Sequence, residues 1–297
     1  MIIDHSLRLV FLHVPKCAGT LLRQAFLENA EERDVVSLFD FSFSTVLQRQ
    51  VDLAHLPLMD LRHYPEWRFL KRYRVLACIR HPYERLASAC REYLRQKSRE
   101  TEEQVRSQPP SREQLLSYLR RLPDALEAHD LRYVHGFPIT WFTHYGEQAM
   151  VDRLLRCDQL EADLRRLEQT LPLPACLQEQ LRTAATRESR RPAADLAALT
   201  EDPDLRAMAH LLHRDDFRTF GFERSPAAFS DPQLRERMQA CQAISGSHEL
   251  PITSLTPQMR WYYGRSSSRP ERVLTATRKT ANRRTANRKK PKNRKQP

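Results

Sequence analysis

One stretch of this chain gathers the groups that hold anions. His13-Val-Pro-Lys-Cys-Ala-Gly-Thr20 lies between an apolar run and a helical pattern. Backbone N–H groups at the start of a helix lack partners of their own, and the helix dipole adds partial positive charge there. Cys17 and Ala18 contribute N–H groups, Gly19 lets the backbone approach a ligand closely, Thr20 brings a hydroxyl and Lys16 a full positive charge. These are the parts of a phosphate cradle. The order is not G-x-x-x-x-G-K-[ST], because Lys16 comes three residues before the only glycine of the loop. On these residues alone, a plain strand-to-helix turn with a surface lysine stands as the alternative.

A second anion-binding group follows the run Arg74-Val-Leu-Ala-Cys-Ile79. Arg80 stands at its end, where a guanidinium can fork onto a phosphate. Ser88, eight residues on, is about two helical turns away and can face the same side, or it is a small packing residue between Leu86 and Cys90. Eleven histidines offer a base near neutral pH. No H-E-x-x-H or comparable ligand spacing occurs, so no metal is expected. The six cysteines are scattered without a C-x-x-C pair, which predicts free thiols rather than a disulfide framework or a zinc site.

Hydrophobic periodicity gives the elements that must position these groups. A strand is expected over 7–14, ended by Pro15, and then a helix carrying Leu21, Leu22, Ala25, Phe26 and Ala30. This is the opening of an α/β unit. A short helix over 65–73, a strand over 74–79 and a helix over 83–97 make the second unit, with Pro82 at the first turn. Residues 99–110 read as a loop, and Ser111-x-x-Gln114 as a capping box opening another helix. A third strand is expected over 150–157, helices over 159–171 and 203–218, the last closing near Gly221, and a further helix over 231–242.

At 40% hydrophobic residues, 297 residues can bury a sizeable core. No apolar run approaches eighteen residues and no basic-then-apolar leader opens the chain, so neither a membrane span nor a secretory signal is expected. The net charge of +12 is localised. Residues 265–297 carry thirteen Lys/Arg and one acid, Glu271, while residues 1–264 carry 36 basic and 36 acidic side chains. A five-residue repeat (Thr275-Ala-Thr-Arg-Lys, Thr280-Ala-Asn-Arg-Arg, Thr285-Ala-Asn-Arg-Lys) fills that tail and cannot bury a core. The expected organisation is a domain over 1–230, a partly helical extension over 231–264 and a basic disordered tail over 265–297. The tail suits an anionic membrane surface or a polyanion, without specific nucleic-acid binding. Together with the free thiols, this places the chain in the cytoplasm, peripheral to a membrane.

Taken jointly, these segments resemble a known family. Pro15-Lys16-Cys17-Ala18-Gly19-Thr20 resembles the PK-T-AGT loop of sulfotransferases that use 3′-phosphoadenylyl sulfate, and Ile79-Arg80-His81-Pro82-Tyr83-Glu84-Arg85-Leu86-Ala87-Ser88 resembles their second signature. Val151-Asp152-Arg153 through Asp163-Leu164, and Arg214-Asp215-Asp216-Phe217 through Phe222, are similar to later motifs of the carbohydrate-type group that includes heparan sulfate 2-O-sulfotransferase. The resemblance implies a three-layer, P-loop-like α/β fold with a central, mainly parallel sheet and helices on both faces. It implies that Lys16, Cys17, Ala18, Gly19 and Thr20 hold the 5′-phosphosulfate, with Lys16 offsetting charge on the leaving group, and that Arg80 and Ser88 hold the 3′-phosphate.

The acceptor would be a hydroxyl-bearing glycan or glycolipid. His55 is expected as the base, with His135, lining the acceptor side, as the second candidate. His13 reads as a core histidine, and Tyr83, Trp141 and Tyr145 as stacking surfaces or core aromatics. Three residues depart from the pattern: Cys17 for threonine, His81 for an acidic residue and Asp158 for glutamate. The competing readings are a nucleotide-dependent phosphotransferase, against which the lysine order and the lack of a magnesium carboxylate beside the loop count, and a nucleic-acid-binding protein acting through its tail.

Overall fold

Short β-branched and apolar segments pair into one five-stranded sheet. The computed structural model describes residues 1–28, 30–97, 109–189, 199 and 201–222, with two further positions, 232 and 236. The strands are β1 (Ile2–Asp4), β2 (Leu9–Leu12), β3 (Val35–Ser37), β4 (Phe41–Ser44), β5 (Arg49–Asp52), β6 (Arg74–Ile79), β7 (His144–Tyr145), β8 (Gln148–Ala149) and β9 (Arg153–Arg156). The helices are α1 (Gly19–Leu27), α2 (Leu58–Leu61), α3 (Trp67–Leu70), α4 (Pro82–Lys97), α5 (Arg112–Glu127), α6 (Thr140–Thr143), α7 (Leu160–Thr170), α8 (Ala175–Ser189), α9 (Pro203–Leu212) and α10 (Arg214–Phe220).

The main sheet has the order β3-β1-β2-β6-β9. β2 pairs parallel to β6 and β6 parallel to β9, whereas β1 is antiparallel to both β2 and β3. Four of the five strands therefore point the same way, the α/β arrangement that the chain was expected to adopt. The central strands carry unbroken apolar runs. Leu9 to Leu12 and Val75 to Ile79 are all buried, as strands covered on both faces must be. The helices form two groups: α1 packs on α8 and α8 on α7, while α4 packs against α5, α9 and the 3-10 turn Leu131–Gly136.

Several boundaries differ from the sequence reading, each for a physical reason. The first strand is Leu9–Leu12 rather than 7–14, because Arg8 takes a left-handed φ of 51° that turns the chain back from β1. The third parallel strand is Arg153–Arg156 rather than 150–157. Met150 N–H bonds the Thr143 carbonyl instead, and Cys157 already begins a 3-10 turn. The helix expected over 203–218 breaks at His213, whose ring is drawn onto Asp216. The capping box at Ser111 and Gln114 forms with both of its bonds, and Gly221 closes α10 at a φ of 63°.

The β4–β5 hairpin was not expected. Its alternation sets Phe41 and Phe43 on one face, exposed by 39 and 42%, and Phe39, just before the hairpin, is exposed by 46%. Among the described residues no helix is long and apolar enough to cross a membrane. The loop expected over 99–110 lies outside them except for its last two residues. The extension over 231–264 and the tail over 265–297 also lie outside them, apart from positions 232 and 236.

Candidate active site

The carboxyl ends of the three parallel strands β2, β6 and β9 carry, in turn, the loop 13–18, Arg80 and Cys157. Open α/β sheets place ligands at this edge.

The loop owes its shape to two non-glycine residues in the left-handed region, Lys16 with φ 61° and Ala18 with φ 56°. Ala18 is the N-cap of α1, and no side chain caps the helix or places an acid in its first turn. The N–H groups of that turn thus lack the side-chain acceptor that most helices supply, and the dipole makes them receptive to an anion. Gly19 cannot carry a side chain, because a Cβ there would lie 1.8 Å from Cδ2 of His13. Its role is close approach to the His13 ring. Cys17 is fully buried with its thiol turned inward, so only its backbone can face a ligand, while Thr20 is exposed. The threonine-to-cysteine departure therefore falls on the core side of the loop.

Lys16 Nζ lies 3.4 Å from Glu92 Oε2 on α4. Burial of Glu92 opposes its ionisation, but the bond from Arg95 and the charge of Lys16 outweigh this and hold the carboxyl well below its ordinary range. Arg80 is buried, bonds Glu188 of α8 and lies 3.9 Å from Glu84. Glu84, Ser88 and Glu92 recur every four residues and so share one stripe of α4. That stripe runs from Arg80 to Lys16, and it brings Ser88 to the same side as both cations. His81 Nδ1 accepts from Tyr83 N–H at 3.3 Å in the first turn of α4.

Three histidines form a file beside the loop. The ring centroids of His13 and His55 are 4.5 Å apart, and those of His55 and His135 are 5.1 Å apart. The His55 Nδ1 bonds the carbonyl oxygen of His13 at 3.1 Å. A carbonyl only accepts, so Nδ1 carries the proton and Nε2 keeps the lone pair. Burial lowers the His55 pKa from 6.5, with the nearby Asp52 carboxylate partly opposing the shift. Burial, and then the charge of His55, push His135 further down, and its Nδ1 is buried without a hydrogen bond. His13 is buried as expected, and burial lowers its pKa too.

His135 is held by a buried clamp that sequence reasoning missed. Arg85, fully buried, donates to the carbonyls of His135 and Phe137. Asp216, also fully buried, accepts N–H bonds from Ile139 and Thr140 at 2.8 and 2.9 Å and a contact from His213 Nδ1 at 2.8 Å. Burial opposes the Asp216 charge, but these bonds and the nearby Arg85 outweigh it and lower its pKa. The Asp216 carboxylate therefore stabilises the fold above its ordinary value near 3.8, and that stability is lost as pH falls through the lower folded value. Asp216→Asn turns one acceptor oxygen into a donor facing an N–H group. It is expected to cost about 3–5 kcal/mol, the usual loss on breaking a buried charged network, and urea unfolding of both proteins measures this.

Two of the three aromatics considered for stacking belong to the core: Tyr83 and Trp141 are 3% and 4% exposed. Tyr145 instead accepts from Arg62 Nη1 at 2.7 Å and meets Trp67 edge-on. Glu188 was missed because α8 was not read from the sequence, although Leu177, Leu181, Ala184 and Ala185 repeat at helical spacing. An acid continuing that buried face is itself a signal. Among the described residues no cluster of His, Cys, Asp or Glu has the arrangement of a metal site.

No curated protein and no solved structure matches the chain. A family model described as "Sulfotransferase family" matches residues 1–223, which takes in the loop, the Arg80 strand end, the histidine file and the Asp216 clamp. With three quarters of its length so matched, and these groups gathered at one sheet edge, the chain belongs to the sulfotransferase family.

Proposed function

We propose that this enzyme moves a sulfuryl group from 3′-phosphoadenylyl sulfate to a hydroxyl of a carbohydrate or glycolipid acceptor, with His55 as the base. Sulfotransferases act on hydroxyl-bearing acceptors, and the family typically uses this donor. The finer likeness, to the group of heparan sulfate 2-O-sulfotransferase, rests on the motifs quoted above. The observation that carries the proposal is the fixed tautomer of His55, which leaves a ring nitrogen able to take a proton beside the Lys16 loop.

The residues present fit the donor. The start of α1 has no capping side chain, and Arg80 Nε is buried without a hydrogen bond, a donor left over for one more acceptor. The donor supplies an activated sulfuryl group on a phosphate leaving group. The first turn of α1 and the N–H groups of residues 17–20 bind the anion at its 5′ end. Lys16 meets the negative charge that builds on the leaving oxygen. Arg80, with Ser88 on the adjacent stripe, binds the 3′-phosphate. His55 Nε2 takes the acceptor proton, Asp52 supports the resulting charge, and the carbonyl of His13 holds the ring in place. Phe39 stacks almost parallel to His13, with 9° between the ring planes and 6.1 Å between centroids. Phe39 thus joins the histidine file at its His13 end, with Arg23 over its ring at 3.8 Å, and a ring-bearing acceptor can rest against the neighbouring exposed Phe41 and Phe43.

Thermal unfolding tests the donor reading. Saturating 3′,5′-adenosine bisphosphate, at about a hundredfold excess over its Kd, adds about 2.7 kcal/mol. That raises Tm by about 2–4 °C per kcal/mol for a domain of this size. ATP should give no comparable shift. Equal shifts with both nucleotides would favour a phosphotransferase, and none with either would remove the assignment.

A further inference from the structure

The parallel pairing of β6 with β9 brings together two cysteines 79 residues apart in sequence, with Cys78 Sγ and Cys157 Sγ separated by 3.6 Å. Cys78 is buried within β6, while Cys157 opens the turn after β9 and keeps part of its surface accessible. Arg80 stands two residues after Cys78 at the end of β6, and its positive charge favours the Cys157 thiolate. We propose that Cys78 and Cys157 form an oxidisable dithiol, a modification site at which a peroxide closes a disulfide beside Arg80.

The chemistry follows from the asymmetry of the pair. The bond from Cys78 to Cys157 lowers the Cys157 pKa to about 7, with the Arg80 charge helping against burial, and pushes Cys78 well above its ordinary value. Cys157 is thus the nucleophile and Cys78 the resolving thiol. The Cys157 thiolate attacks one peroxide oxygen and breaks the O–O bond. This gives a sulfenic acid and a hydroxide ion, which takes the Cys78 proton and becomes water. The Cys78 thiolate then attacks the Cys157 sulfur and expels hydroxide, which is protonated to the second water. Two thiols lose two electrons and one peroxide gains them. A disulfide has an S–S distance of about 2.0 Å, so the sulfurs need only close by about 1.6 Å, within the reach of side-chain rotation. Cys90, buried against the Gln114 carbonyl, serves as an internal control.

The test uses the reduced full-length chain. It is treated with hydrogen peroxide, blocked with iodoacetamide, digested with trypsin without reductant and weighed by mass spectrometry. The expected product is residues 75–80 joined to residues 157–165, lighter by two hydrogens than the two peptides together, with Cys90 still a thiol. In Cys78→Ser the linked peptide disappears and Cys157 becomes trappable by dimedone as a sulfenic acid. Recovery of Cys157 as sulfinic acid with Cys78 still alkylatable, or of both thiols unchanged, would overturn the proposal.

A second arm rests on the proposed phosphate contact of Arg80. A bound 3′-phosphate competes for the guanidinium and adds like charge, so 3′,5′-adenosine bisphosphate should slow linkage severalfold. Linkage that forms but ignores the bisphosphate leaves the dithiol standing and counts only against the Arg80 reading.

Discussion

Lys16→Ala is expected to cut turnover by about 10²–10³-fold, the usual cost of removing one preorganised group that stabilises transition-state charge. Binding of 3′,5′-adenosine bisphosphate should change far less. The difference arises because the ammonium group meets charge that is largest while the bond to sulfur breaks, whereas the first turn of α1 holds the bound anion in every state. Stability should barely move. The ion pair with Glu92 is partly exposed and Glu92 keeps its bonds from Arg95, so about 1 kcal/mol or less is at stake. Single-turnover rates compared with calorimetric affinities separate the two effects. A variant that turns over at near the parent rate would show that this loop does not serve the reaction.

His55→Gln should lower kcat by about 10²–10⁴-fold, the range for loss of a general base. The groups proposed to bind the donor phosphates, the α1 start, Lys16 and Arg80, are unchanged in this variant, so donor affinity should persist. The pH profile carries an independent sign. A base acts when neutral, and burial lowers the pKa of His55 from 6.5. The midpoint of the acid limb of kcat should therefore fall below pH 6.5, with more than half of the activity still present at the pH where a free imidazole is half protonated. His135→Gln is the companion measurement. If that variant alone abolishes turnover while His55→Gln remains active, the base is His135.

The strand-end positions of the proposed site residues were legible in the sequence. Lys16, Gly19 and Arg80 each follow an apolar run, and such runs fix strand ends within a few residues. His55 was legible as a candidate, but its tautomer was not, because the carbonyl that sets it lies 42 residues away. The same limit hid Glu92 opposite Lys16, Glu188 opposite Arg80 and Arg85 beside His213, which are joined across 76, 108 and 128 residues. Cysteine spacing likewise gave no hint of the Cys78–Cys157 contact, since strand pairing alone creates it. The short hairpin escaped because Phe41 and Phe43 lie on a solvent face, where apolar residues send no core signal.

The carboxylates opposite the two cations have a consequence for discrimination among anions. Lys16 is held by Glu92, and Arg80 by Glu188 and Glu84. A chloride or a free phosphate that draws on Lys16 or on the Glu188-bound nitrogen of Arg80 must displace a carboxylate, so it gains little from those two contacts. A ligand charged at both ends breaks the first pair in a bimolecular step but meets the second cation within the same complex, at an effective concentration in the millimolar range or above. Ser88, on the α4 stripe between the two, spans the distance such a ligand must match. For the proposed site, the paired cations would thereby favour an anion of matching span over a small anion of equal charge.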